Sequence, residues 1–162
     1  MQYQAVVFDM DGVIFDTERL VIEFWKEVAK KHNIPNVEHT CIQCLGTNRV
    51  RTREIFLENY GADFPFDPYR AEVTELFNTH YKGVPLPTKP GVRELLSYLQ
   101  EQDIKVGLAS STAQHLVRDE IGTAGLLPYF QTLVCGDMVE HSKPAPDIFL
   151  KACEILNADP TK

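Results

Sequence analysis

Three short apolar runs along the chain predict buried strands. They are residues 4–8 (QAVVF), 105–109 (KVGLA) and 132–135 (TLVC). Each run is continuous rather than alternating, which is typical of strands that are covered on both faces in a parallel sheet. Small or polar residues follow each run, beginning with Asp9, Ser110 and Gly136 respectively. Ligands bind at the carboxyl ends of strands in open α/β sheets, so these ends predict one shared site.

Between the strands, apolar positions recur at helical spacing and predict helices. The predicted helices are residues 18–31, 48–60, 68–81, 92–102, 112–123 and 148–156. The segment 83–91 (GVPLPTKPG) has three prolines and two glycines, the composition of a hinge or linker. After it, strand and helix alternate, which predicts right-handed βαβ units and a parallel sheet. The predicted organisation is an α/β core from residues 1–16 and 84–162, with an α-helical insertion at 17–83.

The charge balance limits the partners that the chain can take. Its 16 Lys+Arg against 23 Asp+Glu give a formal net charge of -7, with no extended basic cluster. This argues against nucleic acid or an anionic membrane as the main partner. No apolar run approaches the roughly 20 residues of a membrane span, and nothing resembles a signal peptide. We therefore predict a cytoplasmic protein.

The four cysteines predict reduced thiols rather than a disulfide framework, because no export signal accompanies them. Cys41 and Cys44 form a C-x-x-C that could be half of a zinc site. Cys135 and Cys153 are not spaced to supply the other half. The alternative is that Cys41 and Cys44 are simply two buried helix positions.

Asp9 and Asp11 place two carboxylates on either side of one residue, directly after the first strand. Such acids can simply solvate a turn. An EF-hand loop would need an acid or amide at its fifth position and Glu at its twelfth, where this chain has Val13 and Leu20. Two carboxylates held close must otherwise share a proton or bind a cation, and oxygen ligands on a short loop suit Mg²⁺.

The other strand ends offer groups that would bind a phosphate. Ser110, Ser111 and Thr112 supply hydroxyls, backbone N–H groups and a predicted helix start. Lys143, after the third strand, supplies a compensating positive charge. Because Mg²⁺ is usually shared with a substrate phosphate, the acids and these donors predict a phosphate-processing site.

Three motifs, taken in order, resemble those of the haloacid dehalogenase-like (HAD) phosphohydrolases. VVFDMDGVIFDTE resembles the first motif of the family, LASST the second and SKPAPDIF the third. The match is most similar to the β-phosphoglucomutase and sugar-phosphatase branch. The resemblance implies a HAD-like Rossmannoid parallel sheet core with a small inserted α-helical cap. It also implies a cis peptide between Lys143 and Pro144.

The resemblance implies a role for each motif residue. Asp9 would be the nucleophile, forming an aspartyl-phosphate, and Asp11 the general acid and base. Both would bind Mg²⁺, Asp9 through its carboxylate and Asp11 through its backbone carbonyl. Ser110, with Ser111, and Lys143 would bind the transferring phosphoryl group and spread its charge.

The helical insertion resembles the family's cap, which closes over the site and selects the substrate. LGTNR in this insertion resembles the cap loop whose arginine binds a substrate phosphate, which makes Arg49 the substrate-binding candidate. An exposed arginine at a helix start is the alternative. Phosphoglucomutases of this branch carry a histidine where this chain has Val21, and this departure favours a phosphatase over a mutase.

A second departure concerns the C-terminal part of the core. The family's fourth motif, an acidic pair that completes the Mg²⁺ site, and the last strands should follow Lys143, but the sequence stops at Lys162. We therefore expect a core truncated at its C-terminus and a fragment of a longer protein, with residues 4–8 as an exposed apolar edge. The full-length form should be monomeric, and the fragment could associate through that edge. The chain alone should bind Mg²⁺ weakly and turn over poorly.

These expectations combine into one leading function. The chain should be a Mg²⁺-dependent phosphomonoester hydrolase that acts on a small sugar phosphate or similar phosphorylated metabolite. One alternative is a β-phosphoglucomutase-like phosphosugar mutase. The other is a catalytically weak HAD-like binding or regulatory protein.

Overall fold

A computed structural model describes residues 3–141 and 143–161. Its sheet has strands β1 (Ala5–Phe8), β2 (Lys105–Ser110) and β3 (Thr132–Cys135), all parallel and in the order β1-β2-β3. This arrangement confirms the α/β fold with a parallel sheet that the continuous apolar runs predict.

Helices occupy most of the rest of the described chain. They are α1 (Thr17–His32), α2 (Val37–Gln43), α3 (Arg49–Tyr60), α4 (Phe66–Tyr81), α5 (Val92–Glu101), α6 (Gln114–Thr123) and α7 (Asp147–Leu156). All but α2 were predicted as separate helices. The short α2 follows Asn36, which adopts a left-handed backbone conformation with φ 54° and makes no side-chain cap. Within the described residues, no helix combines the length and the apolar character needed to cross a bilayer.

The chain divides into two compact units. One contains the described residues up to Asp16 and from Gly83 onward, and the other is Thr17–Lys82. The first unit holds the sheet with α5, α6 and α7, and the second holds α1 to α4. The division falls one residue before the predicted boundary after residue 83, because Gly83 groups with the sheet.

The central strand β2 is covered on both faces. A side chain at Gly107 would lie 3.1 Å from the Cδ1 atom of Leu156, so this position faces α7. Ala109 packs in the same direction, against the α7 side of the core. Successive side chains of a strand point to opposite faces, so Val106 and Leu108 face the other side. Both are buried, which explains why β2 has no polar alternation.

Strand β1 forms one edge of this sheet. Among the described residues it pairs with β2 alone. Its four residues, AVVF, are apolar, yet all of them are only half-buried. An apolar edge strand presents unpaired backbone groups and is a ready place for another strand to add.

The two chain crossings between the units are bonded to each other. The amide of Asp16 donates to the carbonyl of Pro87 at 2.9 Å, and the amide of Lys89 donates to the carbonyl of Ile14 at 2.9 Å. The side chains of Asp16 and Lys89 form an ion pair at 2.6 Å. The segment that leaves the sheet unit and the segment that returns to it are therefore held side by side.

An aromatic cluster forms the core of the helical unit. Trp25 of α1 stacks near Phe56 of α3 with ring centroids 4.4 Å apart, and Phe56 lies 5.1 Å from Phe66 of α4. All three side chains are buried. On the surface, Lys31 of α1 bonds Glu72 of α4 at 2.7 Å. The four-helix unit is thus held by its own apolar core.

Candidate active site

The predicted site residues follow strands whose carboxyl ends lie at one edge of the sheet. Phe8 of β1 is level with Leu108 of β2, so Asp9 follows β1 at about the height of Ala109. Ser110 is the last residue of β2, immediately after Ala109. The parallel topology therefore delivers a carboxylate and a hydroxyl to neighbouring strand ends, as the sequence predicted.

Lys143 joins these two strand ends. Its Nζ lies 2.7 Å from Oδ1 of Asp9 and donates to the carbonyl oxygen of Ala109 at 3.0 Å. The Phe149 ring of α7 lies under the ammonium, 5.1 Å from its centroid to Nζ, a favourable cation–π distance. A carboxylate, a carbonyl and an aromatic face thus fix the position of the charge. Phe149 was not predicted as a site residue, although it ends the SKPAPDIF motif.

The backbone next to Lys143 also agrees with the prediction. The Lys143–Pro144 peptide is cis, which confirms the expectation drawn from the resemblance. Ser142, the first residue of the third motif, lies outside the described residues. Helix α7 begins shortly afterwards at Asp147.

The Asp9 carboxylate is held but accessible. Its Oδ1 accepts the Met10 amide at 2.7 Å in addition to the Lys143 ammonium. Two donors on one oxygen restrict the rotation of the carboxylate. The side chain of Asp9 is 38% exposed, so it can still meet a molecule from solvent.

Ser110 is oriented by its own loop. The residue is fully buried, and its Oγ accepts the Thr112 amide at 3.1 Å. A hydroxyl has one proton to donate, and accepting the amide leaves that proton for a further acceptor. Ser111, the next residue, is exposed. The buried serine is thus suited to donate to an anion at the strand end.

Asp11 lies in a tight turn after β1. The amides of Ile14 and Phe15 both donate to the carbonyl of Met10, at 2.9 and 3.1 Å. Gly12 has φ 71°, a left-handed conformation that glycine adopts without strain. The turn places Asp11 at the surface, where it is exposed.

Glu120 of α6 is a further acid that interacts electrostatically with Asp11. Burial, followed by the negative charges of Asp11 and Asp119, raises the pKa of Glu120 from 4.5 to about 7. Near neutral pH, Glu120 therefore exchanges a proton, and its charge acts on Asp11 in return. No sequence pattern indicates this electrostatic interaction, because Glu120 is simply one of two adjacent acids on a helix.

The acids after β1 match part of the ligand set of Mg²⁺. This ion prefers oxygen ligands and usually takes one or two carboxylates from a protein, with water and substrate phosphate completing the shell. Asp9 and Asp11 have the required donor chemistry. In the described part of the chain, no group of three or more His, Cys, Asp or Glu side chains is arranged to hold a metal.

Arg49 lies in the helical unit, as the first residue of α3. Its guanidinium Nη2 is 3.3 Å from Oδ1 of Asp67, and its side chain is 80% exposed. Arg53 pairs with the other oxygen of Asp67, at 3.2 Å from its Nε atom. The structure therefore shows an exposed arginine at a helix start with a surface ion pair. Its assignment to substrate remains a prediction.

The cysteines are consistent with structural thiols. All four are free, and Cys41 is buried in α2. Burial raises the pKa of the Cys41 thiol to about 12, with smaller contributions from Cys44 and Glu38. The thiol of Cys44 donates to the carbonyl of Thr40 at 3.2 Å. A thiol held neutral is a poor metal ligand and a poor nucleophile, which argues against the zinc site. Of the two predicted buried helix positions, Cys41 is one, whereas Cys44 is the half-buried C-cap residue of α2.

Comparison with known proteins gives a consistent set of relatives. Residues 6–162 match the profile of the haloacid dehalogenase-like hydrolases. A phosphorylated carbohydrates phosphatase from Thermotoga maritima is 33% identical over 98% of this chain and 73% of its own length. A β-phosphoglucomutase from Bacillus subtilis is 33% identical over 97% of this chain and 71% of its own. A fructose-1-phosphate phosphatase from Escherichia coli is 29% identical over 99% and 84%.

Solved structures show the same likeness. A crystal structure from Thermotoga maritima, described as a candidate β-phosphoglucomutase, superposes with a TM-score of 0.73. It is 33% identical, and the match covers 98% of this chain and 73% of that one. A β-phosphoglucomutase structure from Clostridium difficile has a TM-score of 0.67 at 24% identity, over 99% of this chain and 74% of that one, which supports the fold alone.

Proposed function

The chain belongs to the haloacid dehalogenase-like hydrolase family and is a phosphatase of that family, and from this premise we propose that it hydrolyses a small sugar phosphate or similar metabolite through a phosphorylated Asp9. The observation that carries the proposal is the contact between the Lys143 ammonium and the Asp9 carboxylate at 2.7 Å. This contact supports the proposal because it holds a carboxylate and a cation together, and phosphoryl transfer to Asp9 would need both. Two relatives named as sugar-phosphate phosphatases support the substrate class.

In the first step, an Asp9 carboxylate oxygen attacks phosphorus. The new P–O bond to Asp9 forms as the bond to the ester oxygen breaks, and Asp11 gives its proton to that leaving oxygen. In the second step, the deprotonated Asp11 takes a proton from water. That water attacks phosphorus, the bond to Asp9 breaks, and inorganic phosphate and a free carboxylate result. One difficult displacement is thus divided into two.

Lys143 and Ser110 would stabilise the charge that moves during these steps. In the free enzyme the ammonium neutralises Asp9. When Asp9 becomes an acyl phosphate, its carboxylate charge is lost and the phosphoryl oxygens carry the negative charge instead. The ammonium can then follow that charge without leaving the strand end, and the Ser110 hydroxyl can donate to the same group. Such preorganised donors are usually the largest contribution to phosphoryl transfer.

Mg²⁺ would supply further charge neutralisation of the phosphoryl oxygens when bound through the Asp9 carboxylate and the Asp11 carbonyl. The helical unit, with Arg49, is the proposed source of substrate selection.

A phosphosugar mutase is the second candidate, because a β-phosphoglucomutase is 33% identical to this chain. Val21 argues against it, since the branch's mutases carry a histidine at the matching place in the first cap helix. The two functions separate by product. A phosphatase releases inorganic phosphate, whereas a mutase moves the phosphoryl group within the sugar phosphate.

The decisive experiment is to trap beryllofluoride on Asp9, since beryllofluoride mimics a phosphoryl group on a carboxylate. We expect a ¹⁹F NMR signal of bound beryllofluoride in the wild-type chain with Mg²⁺, and none in Asp9→Asn. Lys143→Ala should weaken the signal, whereas Lys30→Ala, on an exposed position of α1, should not. A wild-type chain that binds Mg²⁺ but no beryllofluoride would refute the nucleophile and favour the regulatory alternative.

Turnover gives the substrate class. A screen of phosphorylated metabolites, read out by phosphate release, should show preference for sugar phosphates over nucleotides and phosphoproteins. Activity that survives Asp9→Asn would rule out the proposed intermediate.

A further inference from the structure

The helix that follows the serine loop has no cap from its own sequence. Helix α6 begins at Gln114, and its N-cap position is Ala113, which makes no side-chain hydrogen bond. Alanine is a poor N-cap because it has no side-chain acceptor. The acceptor comes instead from Asp137, just after β3, whose Oδ1 and Oδ2 each lie 3.2 Å from the Gln114 amide.

Gly136 makes a second contact to the same loop. Its amide donates to the carbonyl of Thr112 at 3.1 Å. A Cβ atom on Gly136 would overlap the carbonyl oxygen of Ser111 and lie 2.8 Å from its carbonyl carbon. Both are backbone atoms, so a side chain here would have to move the backbone of the serine loop. Gly136 and Asp137, the two residues after β3, thus each form a hydrogen bond to the backbone of residues 112–114 after β2.

We propose that Gly136 and Asp137 form a clamp that positions the loop 110–114 for phosphoryl binding. This inference rests on the proposed function. The clamp residues touch neither substrate nor reacting atoms in this scheme. They act by holding the backbone that carries the Ser110 hydroxyl, and are positioning residues.

The clamp also decides which groups of the loop can meet an anion. Helix N-termini attract anions, but the Asp137 carboxylate already occupies the Gln114 amide. The Thr112 amide is taken by Ser110 Oγ. The transferred phosphoryl group is thereby directed to the Ser110 hydroxyl and the Lys143 ammonium, and kept away from the amide that opens α6. The sequence predicted that the start of this helix would itself bind phosphate. In the proposed arrangement the Gln114 amide does not take part in phosphate binding.

The first test compares Asp137→Ala with Asp137→Asn. Loss of an N-cap acceptor costs about 0.5–2 kcal/mol, so Asp137→Ala should lower kcat/KM roughly 2- to 30-fold if the whole effect falls on the loop. Asparagine still accepts the Gln114 amide, so Asp137→Asn should recover most of that loss. The affinity for inorganic phosphate as a competitive inhibitor should change in parallel. An Asp137→Ala chain with a lower melting temperature but wild-type kcat/KM and phosphate affinity would reduce Asp137 to an ordinary cap and overturn the proposal.

The second test compares two glycine-to-alanine changes. Gly136→Ala should reduce kcat more than Asp137→Ala does, because it displaces the Ser111 carbonyl. Gly122→Ala in the last turn of α6 is the matched control, since a Cβ there meets nothing within 4 Å. Equal kcat values for Gly136→Ala and Gly122→Ala would contradict the clamp.

A third measurement does not depend on turnover. By ¹⁵N NMR, the Gln114 amide should be protected from hydrogen exchange in the wild type and in Asp137→Asn, and about tenfold less protected in Asp137→Ala. Unchanged protection in Asp137→Ala would show that the contact is absent and would end the proposal. If instead protection behaves as expected but beryllofluoride never binds Asp9, the proposed function is what has failed.

Discussion

Replacing Glu120 by glutamine should stabilise the protein at alkaline pH and leave it unchanged in acid. The pKa of Glu120 rises from 4.5 to about 7 because burial, and then the charges of Asp11 and Asp119, disfavour its ionised form. Folding therefore favours the protonated acid. The penalty is absent below pH 4.5, grows as pH rises towards 7, and is complete above it.

The size of the effect follows from the difference of the two pKa values. The shift from 4.5 to about 7 corresponds to about 3 kcal/mol at about 1.36 kcal/mol per pH unit. Part of the side chain remains in contact with water, so screening lowers this to roughly 1–2 kcal/mol. Glu120→Gln keeps the shape and removes the charge, and should therefore raise the free energy of unfolding by that amount at pH 8.

Urea denaturation at pH 4.5, 6, 7 and 8 measures this free energy for the wild type and the variant. We expect the two curves to coincide at pH 4.5 and to separate progressively up to pH 8. Glu101→Gln, at an exposed position of α5, is the matched control and should show no such divergence. A Glu120→Gln variant that is no more stable than the wild type at pH 8 would show that Glu120 is solvated, and the reasoning from burial would be wrong.

Three further predictions test other parts of the structure. Phe149→Leu keeps an apolar side chain beside Lys143 but removes the cation–π contact, which is worth about 0.5–2 kcal/mol, so kcat/KM should fall roughly 2- to 30-fold. Phe149→Tyr keeps an aromatic ring and should restore kcat/KM. Equal kcat/KM values for the leucine and tyrosine variants would argue against a role for the ring. Phe56→Ala should destabilise the helical unit by about 3–5 kcal/mol. The fluorescence of Trp25, the chain's one tryptophan, should then show a lower urea midpoint of unfolding. A midpoint within error of the wild-type value would mean that the aromatic core does not stabilise the unit. Gly12→Ala places a side chain on a residue with left-handed backbone conformation, which costs about 1–2 kcal/mol, so the melting temperature should fall by several degrees. An unchanged melting temperature would mean that this turn has another conformation.

The sequence predicted the sheet unit well because its signals are local. A continuous apolar run such as residues 105–109 identifies a buried strand without knowledge of its neighbours, and parallel topology then places the residues after the strands at one edge. The contact between Asp9 and Lys143 follows from that topology, although the two residues are far apart in the chain. The chemical roles of both residues stay predictions until variants are measured.

What the sequence could not predict depends on contacts between distant residues. Asp137 caps a helix that begins 23 residues earlier, and no local pattern pairs an acid with a distant amide. The raised pKa of Glu120 likewise depends on which face of α6 is buried. Helix α2 was missed as a separate element because it is only seven residues long and has no cap signal. The cytoplasmic location and the oligomeric state also stay predictions.

The paired crossings at Asp16 and Lys89 have a consequence for how such proteins diversify. The segments that leave and re-enter the sheet unit are joined by their own backbone hydrogen bonds and an ion pair. These contacts hold the two segments together without the helices between them. A module of different length or sequence can be grafted between them while the strands and the lysine remain where they are. If the helical unit selects the substrate, as proposed, then exchange of this unit changes the specificity and leaves the groups at the strand ends unchanged.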